Sequence, residues 1–380
     1  MEYIANTDQD RELMLRDIGV QSFEELLQDI PAGLKTGPLK IAEGLSELEL
    51  LSDIKRIGQQ NKHTDRQPCF LGAGVYDHYI PPVVNHLATR GEFITAYTPY
   101  QGEASQGTLQ TIYEYQSMIC MLTGMDVSNA SMYDGASAVA EAALLALRHQ
   151  TQKKKIVIGG YLHPEYLETL KTHLSNMEVQ IVRTALSEGV TDLSDLKKQA
   201  ADAACVIVQQ PNFLGCIEDL ESIFLAAREA GAVSVACVNP LAMSVLKSPG
   251  DCGADVVVGE GQPLGNAMSY GGPHFGFFAV KKPFMRKLPG RIVGRTVDHD
   301  ANEAFVLTLQ AREQHIRREK ATSNICTNHA LCALKSLIFC TVLGPHGFRK
   351  MGALNVQNAH AAFEGLTALE GVKAFSEQSF

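Results

Sequence analysis

Two segments of this 380-residue chain concentrate side chains that can bind an anion. In the first segment, residues 93–116, a proline-containing loop carries Tyr97, Tyr100, Gln101 and Glu103. Tyrosine and glutamine can hydrogen-bond a carboxylate or a phosphate, and tyrosine also supplies a rigid amphipathic wall. The composition of the loop therefore predicts that it lines a binding pocket. The alternative is a hydrogen-bonded loop that only shapes an interface.

The second segment, residues 294–331, contains the basic run AREQHIRREK followed by ATSNICT. Arg317 or Arg318 can hold a carboxylate in a bidentate manner. A bare run of charges is more often the solvated surface of a helix, and His315 is more often a packed or capping histidine than an acid–base group. Thr322, Ser323 and Asn324 follow the run.

A third candidate is the stretch MYDGASAVAEAALLALR, residues 132–148, which predicts a loop that runs into an alanine-rich helix. Gly135, Ala136 and Ser137 stand at the start of that helix, where small residues leave backbone N–H groups free and the helix dipole favours an anion. The alternative is a tight turn with no ligand.

These candidates need a scaffold, and the pattern from about residue 131 onward predicts one. Apolar runs predict strands at residues 154–160, 204–211, 233–239, 254–259 and 274–280, and the continuous run at 204–211 suits a strand buried on both faces. A helix is expected between two of them at residues 217–231, and another precedes them at about 108–123. Strands separated by helices imply a largely parallel sheet, so the predicted fold class is α/β.

The N-terminal region predicts a helical arm. Residues 8–30 indicate two short helices with Ser22 as the second N-cap, and Ser46 with Glu49 indicates a capping box for a third helix. We therefore expect an arm at residues 1–66, a large α/β domain at 67–335, and the beginning of a small C-terminal α+β domain at 336–380.

Composition excludes several classes of protein. The net charge of −9 argues against nucleic acid as the main partner, and the absence of a long apolar run argues against a membrane span. The N-terminus has neither the basic nor the apolar region of a signal peptide. The nine cysteines form no C-x-x-C pair, and the histidines show no zinc spacing. We expect reduced thiols, a cytoplasmic location and no metal.

The order of the strands and their turns resembles the cofactor-binding half of pyridoxal-phosphate (PLP) enzymes of the aspartate-aminotransferase type. QQPNFLGCIEDL resembles the turn that follows a central strand in that family, and AGAVSVACVNP resembles the strand that ends in the aspartate holding the pyridine nitrogen protonated. Here Asn239 fills the aspartate position. GADVVVGEGQPLG resembles the stretch that ends in the Schiff-base lysine, but Glu260, Gly261 and Gln262 stand there instead.

Two chemical requirements of the PLP family thus fail at the two places where they should be met. We therefore expect that this chain does not bind PLP covalently. One alternative is that Lys281, Lys282 or Lys320 acts as a substitute in an independent PLP enzyme. Lys281 and Lys282 lie beyond the next predicted strand, and Lys320 lies in the charged run.

Four segments together closely resemble the glycine decarboxylase P protein of the glycine cleavage system, in particular subunit 1 of its two-subunit form. These segments are FLGAGVYDHYIPPVV, FITAYTPYQGEASQGTLQTIYEYQ, SYGGPHFGFFAV and the stretch at 294–331. The resemblance spans essentially the whole chain, although subunit 1 of the family normally continues beyond residue 380.

The resemblance implies a function shared between two subunits. The family decarboxylates glycine on PLP and passes the aminomethyl group to the lipoyl arm of the H protein, with the T and L proteins as further members of the system. The PLP lysine lies in subunit 2, and the pair forms an α2β2 tetramer with interface active sites. The loop with Tyr97 would then line the glycine and lipoyl pocket, together with His315 and Arg317. Thr322 and Ser323 would contact the partner's PLP phosphate. A second alternative is a scaffold subunit that contributes no group to catalysis.

Overall fold

A computed structural model describes residues 6–37, 40–64, 66–70, 72–376 and 380 of the chain. The chain divides into two compact units, Met1–Pro68 and Cys69–Phe380. The arm expected from the sequence ends two residues before the boundary of the first unit.

The first unit consists of short helices whose ends are set by local capping. They are α1 (Asp8–Ile18), α2 (Phe23–Leu26) and α3 (Glu47–Gly58). The side chain of Ser22 accepts from the Glu25 amide, and Ser46 forms the predicted capping box with Glu49. None of these helices has a buried residue. They are therefore specified by local sequence rather than by a core.

The second unit is built on a seven-stranded sheet. Its strands are β1 (Val127–Ser128), β2 (Lys155–Gly159), β3 (Gln180–Arg183), β6 (Cys205–Gln210), β7 (Val233–Val238), β8 (Val256–Glu260) and β9 (Gly276–Val280). Their order across the sheet is β1-β9-β8-β7-β6-β2-β3. Strands β3, β2, β6, β7 and β8 are parallel, whereas β9 runs antiparallel to β8 and to β1. The predicted α/β class and the five predicted strands are confirmed.

Two antiparallel hairpins lie outside this sheet. They are β4 (Leu186–Ser187) with β5 (Val190–Thr191), and β10 (Ile292–Val297) with β11 (Glu303–Thr308). The second hairpin overlaps residues 294–331, for which functional side chains but no strands were predicted. It matters because the residues just before and after it carry the candidate site.

The helices of the second unit cover both faces of the sheet. They are α4 (Pro82–Ala88), α5 (Gly91–Ile94), α6 (Gln106–Thr123), α7 (Gly135–His149), α8 (Pro164–Leu174), α9 (Leu193–Ala200), α10 (Leu220–Glu229), α11 (Gln314–Arg317) and α12 (Ala330–Thr367). Successive strand residues point to opposite faces, so Ile156 and Ile158 pack with α7 and α8 while Val157 packs with α9 and α10. The result is a three-layer α/β core.

Helix α12 is long and apolar enough, by length and composition alone, to cross a membrane. It nevertheless packs on the core through buried residues such as Cys332 and Phe339, and its helical dihedral angles break at Gly344, next to Pro345. A core helix passes the same test of length and apolarity, and the packing favours that interpretation. The domain boundary expected after residue 335 falls inside this helix. The first turns of α12 contain buried residues such as Cys332.

Candidate functional site

The carboxyl ends of the parallel strands meet at one edge of the sheet, where α/β folds bind ligands. Glu260 is the last residue of β8, Asn239 directly follows β7, and Gly135 begins α7 beside them. A cavity of about 340 Å³ opens at this edge. Its lining includes aromatic and polar side chains, among them His163, Tyr166, Phe213, Gln209, Asn212, Asn239 and Glu260.

The amides at the start of α7 are occupied by carboxylates of the chain itself. Glu260 Oε2 accepts a hydrogen bond of 2.9 Å from the Gly135 amide, and Glu260 Oε1 accepts one of 3.0 Å from the Gln262 amide. Asp134 accepts from the Ser137 amide at 2.7 Å. Of the residues predicted to favour an anion here, Gly135 and Ser137 thus direct their amides to carboxyl groups of the chain itself.

Glu260 is only 8% exposed. Burial raises the pKa of its carboxyl from 4.5 to about 7, although the amides of Gly135 and Gln262 oppose this shift by stabilising the ionised form. The carboxylate of Asp134 acts in the same direction as burial. The helix N-terminus is thus already matched by two carboxyl groups of the chain, those of Glu260 and Asp134.

Gly135 is required by a close approach of neighbouring groups. A Cβ atom on Gly135 would lie 2.6 Å from the Tyr166 hydroxyl and 2.9 Å from the Glu260 amide nitrogen. Tyr166 in turn stacks on His163 with ring centroids 4.6 Å apart. The nitrogens of His163 are both used, since Nε2 is 2.6 Å from the Ala73 carbonyl and Nδ1 accepts from the Glu165 amide. This aromatic layer fills space and offers no free histidine nitrogen.

The side chains at the two positions where the PLP family has its lysine and aspartate have structural roles in this chain. Gln262 is fully buried, accepts from the Tyr76 amide and donates to the Tyr76 carbonyl, each at 2.9 Å. Asn239 accepts from the Leu241 amide at 2.9 Å and so stabilises the turn after β7. Both side chains hold backbone segments in place.

The candidate substitutes Lys281 and Lys282 follow β9 and lie at the edge of the sheet opposite to Glu260. Glu260 pairs with Gly276 and Val256 pairs with Val280, so Lys281 follows the far end of the antiparallel strand. Four residues along a strand correspond to about 14 Å. The Lys281 ammonium also donates to the Gly124 carbonyl at 2.8 Å.

The predicted interface loop presents its side chains to the surface. Tyr97 is 82% exposed and Tyr100 is 49% exposed, and Gln101 and Glu103 are also exposed. The side chains of Tyr97, Gln101 and Glu103 make no hydrogen bond to the part of the chain that the structure describes. These groups are therefore available to a ligand or a partner.

Tyr100 and His315, 215 positions apart in sequence, are brought together, with ring centroids 5.5 Å apart. Arg291 donates to the Tyr100 hydroxyl at 3.1 Å, and Glu313 Oε2 lies 3.7 Å from His315 Nδ1. Arg291 and Glu313 are both buried. Arg291 and Glu313 were not predicted from the sequence as members of this site, because nothing in the pattern separates Arg291 from the exposed basic residues around it.

Arg317 and Thr322 line a second cavity, of about 290 Å³, together with Arg286 and Arg312. The Arg312 guanidinium is fixed by hydrogen bonds to the carbonyls of Leu288 and Gly290. The guanidinium groups of Arg286 and Arg317 make no hydrogen bond or ion pair within the described residues. No carboxylate lines the cavity, so it is strongly positive and suits a phosphate or a carboxylate.

Ser323 points away from this cavity. Its hydroxyl donates to Glu141 Oε1 on α7 at 2.7 Å and accepts from the Ile325 amide at 3.1 Å. Glu141 is 2% exposed, and burial raises the pKa of its carboxyl. The two adjacent residues therefore have different roles. Thr322 lines the cavity, whereas the Ser323 hydroxyl binds the buried carboxyl group of Glu141.

Within the described ranges, no group of three or more histidine, cysteine, aspartate or glutamate residues is placed to hold a metal ion. All nine cysteines are free thiols.

The model of the family described as "Glycine cleavage system P-protein" matches residues 1–380. The chain belongs to the glycine cleavage system P-protein family. A P-protein relative from Desulforamulus reducens, named "Probable glycine dehydrogenase (decarboxylating) subunit 1", is 52% identical over 98% of this chain and 83% of the relative.

Solved structures agree with the P-protein assignment. A crystal structure of glycine decarboxylase (P-protein) of the glycine cleavage system, in inhibitor-bound form, superposes with a TM-score of 0.92 at 45% identity, over 100% of this chain and 86% of the other. An aspartate aminotransferase from Thermus thermophilus gives a TM-score of 0.54 at 13% identity, over 79% of this chain and 78% of the other, and it shows the fold alone. The PLP-transferase fold expected for this P-protein is confirmed.

Proposed function

We propose that this chain is subunit 1 of a two-subunit glycine dehydrogenase (decarboxylating). It is the half without a Schiff-base lysine, and it completes an active site whose PLP is held covalently by subunit 2. The observation that carries the proposal is the hydrogen bond from the Gly135 amide to Glu260, which fills this chain's own anion site. The name "subunit 1" of the 52% identical relative supports a partner subunit.

PLP does not fit the corresponding edge of this chain. A phosphate at the start of α7 would meet the carboxylates of Glu260 and Asp134, and like charges at that distance repel. The Tyr166 hydroxyl closes over Gly135, and no lysine stands at the end of β8. We therefore assign no catalytic step on PLP to this chain's own residues.

The contribution of this chain lies on its exposed loop and in its basic cavity. We assign Tyr97, Tyr100, Gln101 and Glu103, with His315, to the wall of the glycine and lipoyl pocket. Their exposure and the hydrogen-bonding capacity of their side chains support this assignment.

Thr322 is assigned to the phosphate of the PLP that subunit 2 holds. Arg317, which the sequence predicted to line the glycine pocket, is reassigned to the same phosphate because it lines the same cavity. The positive cavity that they line with two further arginines supports this role. Ser323 can take part only if its hydroxyl leaves Glu141, so Thr322 is the preferred contact.

The partners follow from the proposal. Subunit 2 would pair with this chain in an α2β2 tetramer, the lipoylated H protein would accept the aminomethyl group, and the T and L proteins would act elsewhere in the system. The exposed tyrosines of the loop suit a protein interface, where tyrosine offers both an apolar body and a hydrogen-bonding tip.

Borohydride reduction in the presence of PLP tests the proposal, with mass spectrometry to locate the label. The experiment is done on this chain alone and on this chain co-purified with subunit 2. We expect a pyridoxyl adduct on subunit 2 only. An adduct on a lysine of this chain would overturn the assignment and support an independent PLP enzyme. The position of Lys281 at the opposite edge argues against that alternative.

A further inference from the structure

Arg291 is the buried member of an otherwise exposed basic region. Its side chain is 4% exposed, whereas that of Arg295, four residues further along, is 61% exposed and pairs with Glu303 at 3.2 Å. Burial of an arginine is costly unless its charge and its donors find partners. The partners that Arg291 has found are therefore informative about its role.

The Arg291 guanidinium contacts both of the segments that the sequence indicated as functional, residues 93–116 and residues 294–331. Nη1 donates to the Cys326 carbonyl at 2.6 Å, and Nη2 donates to the Tyr100 hydroxyl at 3.1 Å. The guanidinium carbon lies 5.6 Å from the centroid of the Tyr100 ring. One side chain thus ties the exposed tyrosine loop to the segment that follows α11.

The charge of Arg291 is balanced by Glu313, whose side chain is 6% exposed. The gap between Arg291 Nε and Glu313 Oε2 is 3.8 Å, which is too long for a hydrogen bond. Arg291 Nε and Glu313 Oε1 are both buried without a hydrogen-bond partner. Glu313 therefore neutralises the guanidinium without taking the Nη donors away from Tyr100 and Cys326.

The direction of the Arg291–Tyr100 hydrogen bond determines what the phenol can do. A guanidinium can only donate, so the Tyr100 oxygen must act as the acceptor in this bond. The phenolic proton is then directed away from Arg291. Tyr100 is 49% exposed, so that proton is available to an acceptor outside the chain.

We propose that Arg291 is a positioning residue that presents the Tyr100 hydroxyl as a hydrogen-bond donor to the carboxylate of glycine. This inference rests on the proposed function, which places Tyr100 at the pocket shared with subunit 2. Arg291 does not touch the substrate and acts through Tyr100. A lysine at this position would keep the charge but lose the fork that reaches two acceptors at once.

The test uses the complete complex of this chain with subunit 2 and measures kcat and KM for glycine in the glycine–bicarbonate exchange reaction. The variants are Arg291→Lys, Tyr100→Phe, the double variant, and Arg295→Lys as the matched exposed control. The mass and the PLP content of each complex are measured first.

We expect Arg291→Lys and Tyr100→Phe each to raise KM roughly 10-fold with a small change in kcat, as loss of a hydrogen bond to a charged group does. The double variant should raise KM by the same factor rather than about 100-fold, because both changes remove one interaction. Arg295→Lys should match the wild type. A merely structural defect would lower kcat, through fewer active complexes, and leave KM unchanged.

The outcomes separate the inference from the proposed function. If Tyr100→Phe raises KM and Arg291→Lys does not, or if the two effects multiply, the positioning role is wrong while the pocket assignment stands. If Tyr100→Phe leaves KM unchanged in an assembled complex, Tyr100 does not bind glycine, and both the inference and the pocket role of Tyr100 are overturned. The location of the PLP adduct is decided separately by the borohydride experiment.

Discussion

The carboxylate of Glu260 accepts a 2.9 Å hydrogen bond from the amide of Gly135, a residue 125 positions earlier in the chain. Gly135 begins α7, and helix N-termini attract anions through their free amides and the helix dipole. A side chain of the protein thus takes the place that an external anion would need. This one contact supports the proposal that this PLP-transferase fold carries out no PLP chemistry of its own.

Glu260 should make the protein less stable as the pH rises. Its pKa is about 7 in the folded state and 4.5 as the reference value, so the unfolded chain releases the proton first and rising pH favours unfolding. Between about pH 4 and pH 8, the free energy of unfolding of the wild type should fall by about 3 kcal/mol relative to that of Glu260→Gln, which has no carboxyl group at this position. Urea denaturation at a series of pH values measures this.

The slope with pH is the diagnostic quantity, because Glu260→Gln also loses part of its hydrogen bonding at every pH. Glu303→Gln removes an exposed carboxylate, 57% exposed in its ion pair, and serves as the control. Equal slopes for wild type and Glu260→Gln would show that Glu260 is ionised normally in the folded protein.

Gly135 should not tolerate a methyl group. The Cβ of Gly135→Ala would lie 2.6 Å from the Tyr166 hydroxyl and 2.9 Å from a backbone nitrogen, so we expect a loss of about 1–3 kcal/mol in the free energy of unfolding. Gly107 in α6 has open space around its Cβ position. Gly107→Ala should therefore be neutral or stabilising by up to about 1 kcal/mol. Chemical denaturation of both variants checks the contrast, and equal effects would contradict it.

The adjacent residues Thr322 and Ser323 should separate binding from stability. Ser323→Ala removes the 2.7 Å hydrogen bond to buried Glu141 and should cost about 1–3 kcal/mol of stability. Thr322→Ala should leave the stability of the isolated chain within about 0.5 kcal/mol. It should, however, weaken PLP retention by the complex, measured by equilibrium dialysis. If Thr322→Ala leaves PLP retention unchanged, the assignment of Thr322 to the PLP phosphate is wrong.

Tyr97 distinguishes a contributing subunit from a scaffold. It is 82% exposed and makes no hydrogen bond within the described chain, so Tyr97→Ala should change the stability of the isolated chain by less than about 0.5 kcal/mol. We expect glycine turnover by the assembled complex to fall at least about tenfold if the residue lines the pocket. Wild-type turnover in an assembled complex would favour the scaffold alternative. Tyr79 has a similar exposure, 79%, so Tyr79→Ala is the matched control.

Local features of this protein were predictable because their causes are local. The capping box of Ser46 with Glu49 spans three residues, and the buried strands appear as continuous apolar runs between turn residues. The absence of a lysine after β8 and the asparagine after β7 could also be noted directly from the sequence, and they predicted a chain without covalent PLP.

The sequence by itself therefore determined the α/β class and the family, and it predicted a chain without covalent PLP, since each of these depends on residue types and their order along the chain. Only the tertiary structure decided that Glu260 fills the helix N-terminus, that Ser323 faces Glu141, and that Arg291 is buried against Tyr100. The last of these contacts joins residues 191 positions apart. Such pairings depend on how the sheet and its loops bring distant segments together, and burial of one arginine among several leaves no periodic signal in the sequence.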